Sequence, residues 1–246
     1  MTIVITGGSR GIGAATAKLA AERGYCVAFS YRANREAAED VVRAIAETGG
    51  EAIAVQADVA SEPDVMRLFA TVDKRFGTLD ALVNNAGVLD RQMKVADMSA
   101  QRIVRTLSVN VLGPFLCARE AVRRMSTERG GNGGAIVNVS SRAAQYGSPN
   151  EYVDYAASKG ALESFTLGLA HEVAREGIRV NTIRCGHIYT DIHAAGGEPD
   201  RVDRVKVSVP MQRGGQPEEV ARAILWLLSS EASYTTGSFL DVSGGR

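Results

Sequence analysis

Thr6-Gly7-Gly8-Ser9-Arg10-Gly11-Ile12-Gly13, lodged directly behind the apolar run Ile3-Val4-Ile5 and ahead of a helical pattern reaching Arg23, decides how this chain folds. Glycines at this place answer two needs. The turn takes backbone angles that a Cβ would obstruct, and a pyrophosphate can then approach main-chain N–H groups at a helix N-terminus. A glycine-rich segment alone says little. Set between the first strand and first helix of a βαβ unit, it says much more.

Outward from that segment, short β-branched runs alternate with longer helical patterns. Strands are expected over 2–6, 26–31, 52–56, 81–84, 135–140, 179–184 and 238–242. Several are almost unbroken apolar runs, as in parallel strands covered on both faces. Gly24, Gly49, Gly77 and Gly177 each close a helical pattern just ahead of a strand, where a C-terminal cap glycine belongs. Ser61 with Asp64 reads as an N-cap with an acidic first turn, and Pro217 with Glu218 and Glu219 opens the last helix in the same manner. The alternation predicts an α/β fold, an open, doubly wound parallel sheet in a single domain over 1–246. Two stretches escape regular assignment: 126–134, polar and glycine-rich, reads as an exposed loop, and 190–215 as a lid over a binding site.

Composition narrows the function classes. Lys plus Arg and Asp plus Glu both number 28, so the formal net charge is zero and no basic field favours nucleic acid or an anionic membrane. No run approaches the ~20 apolar residues of a membrane span. Met1-Thr2 runs straight into the first strand without a basic segment or cleavage site, so no signal peptide is expected. Cys26, Cys117 and Cys185 are odd in number and lack ligand spacing, which suits a reduced, cytoplasmic protein. Of three histidines, His171 falls in a helical pattern and reads as structural, while His187 and His193 flank the lid and are candidates to line a substrate site. Without a Cys/His/Asp cluster, no metal is expected.

Tyr155 and Lys159 are four apart in a helical pattern, so they share a face and the ammonium can lie beside the phenol. Free tyrosine titrates near ~10, too high for efficient acid–base work, and a neighbouring cation lowers that value. Upstream, Ser140-Ser141 ends the fifth strand, Asn84-Asn85-Ala86-Gly87 follows the fourth, and Asp58-Val59 follows the third. Together with the G-x-x-x-G-x-G spacing of Gly7, Gly11 and Gly13, these residues resemble the short-chain dehydrogenase/reductase family along nearly the whole chain. Within it, the chain looks closest to glucose-dehydrogenase-like and 3-oxoacyl-acyl-carrier-protein-reductase-like members.

That resemblance implies a Rossmann-type, seven-stranded sheet with helices on both faces, and hydride transfer between a nicotinamide cofactor and a carbonyl or alcohol. Tyr155 would be general acid in reduction and general base in oxidation. Lys159 would lower its pKa and bind the nicotinamide ribose. Ser141 would polarise the substrate carbonyl, and Asn110 would hold a water that relays protons. The cofactor would lie against Gly7, Ser9, Arg10, Gly11, Ile12 and Gly13, with Asp58 and Val59 at the adenine and Asn85, Ala86 and Gly87 alongside. Gly186, Ile188 and Thr190 would meet the nicotinamide end. An NAD-specific site usually places an acid at the end of the second strand. Here Ser30-Tyr31-Arg32 offers none, and Arg10 with Arg32 suits a 2′-phosphate, so NADP(H) is the expected cofactor, with Tyr31 at its edge.

One departure concerns Cys185-Gly186, where the family normally carries Pro-Gly; losing the proline should loosen the turn and weaken cofactor binding modestly. Gly196-Gly197-Glu198-Pro199, Glu151 and Asp154 give the expected substrate mouth a polar look, favouring a small polar substrate. The competing reading is a non-catalytic NADP(H)-binding sensor or structural subunit. By resemblance, the chain forms a homotetramer or homodimer.

Overall fold

The computed structural model describes residues 1–246. Along the chain run β1 (Thr2–Ile5), α1 (Gly11–Glu22), β2 (Cys26–Tyr31), α2 (Arg35–Glu47), β3 (Ala52–Gln56), α3 (Glu62–Phe76) and β4 (Ala81–Asn84). After them come α4 (Ala100–Leu107), α5 (Gly113–Met125), β5 (Gly134–Ser141), α6 (Ala143–Tyr146), α7 (Val153–Val173) and β6 (Ile178–Cys185). The chain closes with α8 (Ile192–Ala195), α9 (Arg201–Val205), α10 (Pro217–Leu228) and β7 (Phe239–Val242). All seven strands pair in parallel in the order β3-β2-β1-β4-β5-β6-β7.

Alternation along each strand divides the interior into two cores. Ile3, Ile5, Val27, Phe29, Val83 and Val137 point to one face, where α1, α2 and α10 cover them. Val4, Ala28, Leu82 and Ile136 point to the other, beneath α3, α5 and α7. Both faces being dry explains why these strands read as continuous apolar runs rather than as alternating ones. Chain direction across the sheet reverses between β1 and β4, and the crevice beyond their carboxyl ends is where open α/β sheets take ligands.

Local signals held at helix ends, with one exception. Gly77 and Gly177 leave their helices at φ of 80° and 75°. Pro217 opens α10, and the Glu219 carboxylate reaches back to accept from the Gln216 N–H at 2.8 Å. Ser61 precedes α3 as expected, but its hydroxyl makes no capping bond. The Asp64 carboxylate accepts from the Asp58 N–H at 2.9 Å instead, tying the third strand's exit to the helix.

Both unassigned stretches carry structure. Within 126–134, Ser126 is buried, Thr127–Arg129 form a 3-10 turn and Gly134 already belongs to β5, so only the middle is the exposed loop expected. Within 190–215, α8, α9 and a further turn at Lys206–Ser208 fold over the crevice. No helix is long and apolar enough to cross a membrane.

Candidate active site

A cleft of about 710 Å3 runs over the carboxyl ends of the strands, from Asn34 at one end to Arg246 at the other. Its floor is made of backbone. Gly7 sits at φ of 67°, and a Cβ there would lie 3.1 Å from Ala86 Cα. Behind it, a Cβ on Gly13 would lie 2.2 Å from the Gly7 carbonyl oxygen, so α1 can dock onto the loop only with glycine at that position. Asn85 locks the two strand ends together, donating from Nδ2 to the carbonyls of Thr6 (2.9 Å) and Gly7 (3.0 Å). Thr6 Oγ1 accepts from the N–H groups of both Asn85 and Ala86 at 3.0 Å.

Arg10 occupies the N-cap of α1 without a side-chain capping bond. The first N–H groups of the helix therefore remain for an anion, reinforced by the helix dipole. An uncapped helix start over a loop kept bare of side chains fits the pyrophosphate of a dinucleotide. At the far end, Ser30 Oγ accepts from the Gly7 N–H at 3.1 Å, and Tyr31 and Arg32 close the wall. No acid stands at the end of β2. Arg32 Nε lies 3.3 Å from the Asp58 carboxylate, an exposed pair, and Arg10 has no carboxylate partner. Val59, Ala86, Gly87, Gly186, Ile188 and Thr190 line the same cleft, while Gly13 supports it from behind.

The chemistry-bearing side chains meet at the other half of the cleft. Tyr155 and Lys159 project from the first turns of α7, and Ser141 ends β5 opposite them. Lys159 is buried, with Nζ donating to the Val139 carbonyl at 2.7 Å and lying 5.5 Å from the Tyr155 ring centroid. Burial lowers the ammonium to about 8, against the opposing pull of Cys185 and Glu163. Burial likewise pushes the Tyr155 phenol above its ordinary value; Cys185 adds to this and the Ser141 hydroxyl works against it. Cys185, where a proline was expected, is itself buried, its thiol pushed up to about 12 by the same desolvation.

Asn110 lies behind the cleft wall rather than in it. A π-type turn at Ser108–Leu112 between α4 and α5 buries it completely. Its Nδ2 donates to the Val88 carbonyl and to Ser158 Oγ, both at 3.0 Å, and its Oδ1 accepts from the Val88 N–H at 2.8 Å. The amide thus clamps the segment after β4 to α7. A second buried chain does the same from below: Asn84 donates to Asn138 (2.9 Å), Asn138 to Thr166 (2.9 Å), and Thr182 to Thr166 (2.8 Å).

Asp154 does not face the substrate mouth, as the sequence suggested. It is buried in a two-point ion pair with Arg102, at 2.8 and 3.1 Å, and also accepts from Thr106. Burial would raise its carboxyl, yet the hydrogen bonds and charge of Arg102 outweigh that and hold it below the usual range. Glu151 does line the cleft, paired with Arg201 from α9. His187 and His193 line it as well, and His193 Nε2 meets the Ile188 carbonyl at 3.0 Å. His171 is an exposed residue of α7. No three or more His, Cys, Asp or Glu side chains come together as a metal site.

The sequence reading missed Arg102, Arg142, Tyr146, Arg201 and Arg246. Arg142 pairs with Asp241 and Arg246 touches His187, contacts that span 99 and 59 residues and leave no local pattern to find.

Comparison with known proteins finds relatives along nearly the whole chain. Residues 7–246 match the family model described as Enoyl-(Acyl carrier protein) reductase. An uncharacterized oxidoreductase of Escherichia coli (strain K12) is 59% identical over 243 residues, covering 99% of this chain and 98% of that protein. Glucose 1-dehydrogenase 2 of Bacillus subtilis (strain 168) is 37% identical over 99% of this chain and 93% of its own. Among solved structures, a short-chain dehydrogenase/reductase from Serratia marcescens superposes with a TM-score of 0.91 at 33% identity, covering 99% of this chain and 96% of that one.

Proposed function

This chain belongs to the short-chain dehydrogenase/reductase family of oxidoreductases, and from that premise we propose that it is an NADP(H)-dependent enzyme acting on a small carbonyl or alcohol through Tyr155. One observation carries the reading. The bare glycine loop, the uncapped start of α1 and the trio Ser141, Tyr155 and Lys159 all line one continuous cleft.

A nicotinamide dinucleotide bound along that cleft would supply the hydride chemistry. The protein's own groups do the rest. N–H groups at the start of α1 would hold the pyrophosphate, and Lys159, anchored on the Val139 carbonyl, would hydrogen-bond the nicotinamide ribose. The Ser141 hydroxyl orients a substrate carbonyl toward Tyr155. Tyr155 would donate its phenolic proton to that oxygen in reduction. Asn110 and the buried Asn84–Asn138–Thr166 chain fix α7 so that both groups stay aligned.

Preference for NADP(H) rests on the missing acid after β2 and on two guanidiniums at the adenine end. The Arg32–Asp58 pair is exposed, worth no more than ~1 kcal/mol, so a 2′-phosphate displaces it readily. Arg32→Ala is expected to weaken NADPH about tenfold and leave NADH unchanged. Equal affinity of the wild type for both would sink the preference.

Oligomerisation to a homotetramer belongs to the same proposal. Leu112, Phe115 and Leu167 are exposed on or beside α5 and α7, and Phe115 stacks on Phe165 at a centroid distance of 3.8 Å. A monomeric mass by light scattering would refute it. The cytoplasm, resting on three unpaired cysteines, is the proposed compartment. Turnover is tested by following NADPH with aldehydes, ketones and oxo acids, and NADP+ with sugars and polyols, using Tyr155→Phe as the blank. A hit lost in that variant supports the enzyme; activity that survives it overturns the role of Tyr155.

A further inference from the structure

Six arginines line the cleft, and their partners differ. Arg32, Arg105, Arg142 and Arg201 each have a carboxylate within 4 Å: Asp58, Asp90, Asp241 and the Glu151–Glu198 pair respectively. Arg10 and Arg246 have none. Arg10 stands at the start of α1, where the cofactor's phosphates account for its charge. Arg246 stands at the opposite end, where the cofactor offers no anion.

Its surroundings leave that charge usable. Arg246 Nη1 donates to His187 Nε2 at 2.6 Å and to Ser208 Oγ at 3.1 Å. Its Cζ lies 5.7 Å from the Tyr146 ring centroid. These three contacts join the end of β6, the turn after α9 and the short helix after β5, so the guanidinium is held rigidly between three walls of the substrate half. His187 cannot share the cationic role. Burial, with Arg246 next in effect, lowers it to about 4, so it stays neutral and acts as an acceptor. Both bonds use the same nitrogen. The Nε and Nη2 edge has no hydrogen-bond partner, and that planar, two-donor edge matches the two oxygens of a carboxylate.

We infer that Arg246 is a substrate-binding residue that anchors an oxyanion, so that the substrate is a carbonyl or alcohol bearing a second, anionic group. The inference rests on the oxidoreductase reading of the same cleft and adds what that reading lacks, the class of molecule reduced or oxidised. Neutral sugars and simple ketones would lack the group that Arg246 is built to hold. A small oxo or hydroxy acid satisfies it, with the carboxylate on Arg246 and the reacting carbon beside Tyr155. A phosphate ester presents equivalent oxygens.

The test compares matched pairs in wild type and Arg246→Met: 2-, 3- and 4-oxo acids against their methyl esters, and dihydroxyacetone phosphate against dihydroxyacetone. In wild type, one acid or phosphate exceeds its neutral twin in kcat/KM by about 10- to 100-fold, as expected of hydrogen bonds to a charged group. The excess appears in KM, disappears in Arg246→Met and returns in part with Arg246→Lys. Whichever arm shows it separates carboxylate from phosphate. Unchanged NADPH affinity in both variants shows that the cleft is intact. Neutral twins turned over equally well, with Tyr155-dependent activity throughout, would overturn the anchor and leave the enzyme reading standing. If no probe turns over, titration of the same acids and phosphates into the protein–NADP+ complex decides. Binding lost in Arg246→Met supports the anchor, and no binding overturns it.

Discussion

The two halves of the cleft are built by different means. At the cofactor end the shape is backbone: a glycine turn at φ of 67°, a helix start without a cap, and strand ends stitched by Thr6 and Asn85. At the substrate end it is side chain: ion pairs of Arg142 and Arg201, and the bridge of Arg246 to His187 and Ser208. Backbone geometry leaves little room for substitution, and a bare loop with an open helix start suits what many proteins share, a dinucleotide. Side-chain pairs can be exchanged one at a time, which is how a common scaffold acquires a private substrate.

The largest effect should come where the halves meet. Tyr155→Phe removes the transferable proton and nothing else, so kcat should fall by ~10^2 to 10^4-fold while NADPH affinity stays put. Should affinity fall in step with turnover, the tyrosine would belong to the cofactor half and the division would break down.

Next in size is the buried pair behind α7. Arg102→Met leaves the Asp154 carboxylate charged and without its counter-ion, a loss of about 3–5 kcal/mol of stability. Thermal or denaturant unfolding reads it directly. Adding Asp154→Leu should restore most of the stability, since the charge and its partner then leave together. Because Asp154 adjoins Tyr155 at the first turn of α7, the double variant should also keep its NADPH affinity and lose turnover in part.

Gly13→Ala attacks the other half. Its Cβ would meet the Gly7 carbonyl at 2.2 Å, and a backbone atom has little room to move. Overpacking of this kind costs about 1–3 kcal/mol, and the displaced loop should lose NADPH affinity more steeply than stability. Isothermal titration beside a melting curve separates the two. An alanine enzyme with wild-type affinity would mean that the loop, for all its glycine, is not rigid.

The same division explains what the sequence disclosed. Every strand and the turn glycines were legible, because parallel strands covered on both faces and left-handed turns each leave a local signature. The glycine loop, the Asn84–Gly87 segment, Ser141, Tyr155 and Lys159 were readable for the same reason, each being fixed by spacing along one element. Asp154 was misread because an acid beside Tyr155 looks the same whether it faces solvent or Arg102, 52 residues away. Arg246 was invisible: nothing near position 246 in the chain foretells a histidine at 187. Ser61 stands at the N-cap position but its hydroxyl accepts from no N–H of the first turn, while the Asp64 carboxylate takes the Asp58 N–H. Local competition among polar side chains is settled by geometry that a pattern does not contain.

The smallest effect is a titration confined to the substrate half. His187 is held neutral by burial and by Arg246, with a pKa of about 4 in the folded chain against an ordinary value near ~6.5. Between those values the unfolded chain binds a proton that the folded chain refuses, so stability is fully present above pH ~6.5 and drains as pH falls toward ~4. His187→Asn should flatten that part of the stability curve by at most about 2 kcal/mol, solvent screening having reduced the full linkage value. His193, also lowered by burial, remains in both proteins and so cancels in the difference. Arg246→Met should recover part of the flattening, because the arginine is the second cause of the depression. The cofactor half has no histidine, so NADPH affinity in wild type and His187→Asn should follow pH in parallel. A difference in affinity that opens below pH 6.5 would mean that the two halves are coupled through the turn at Gly186, and that the side-chain end helps to shape the backbone end after all.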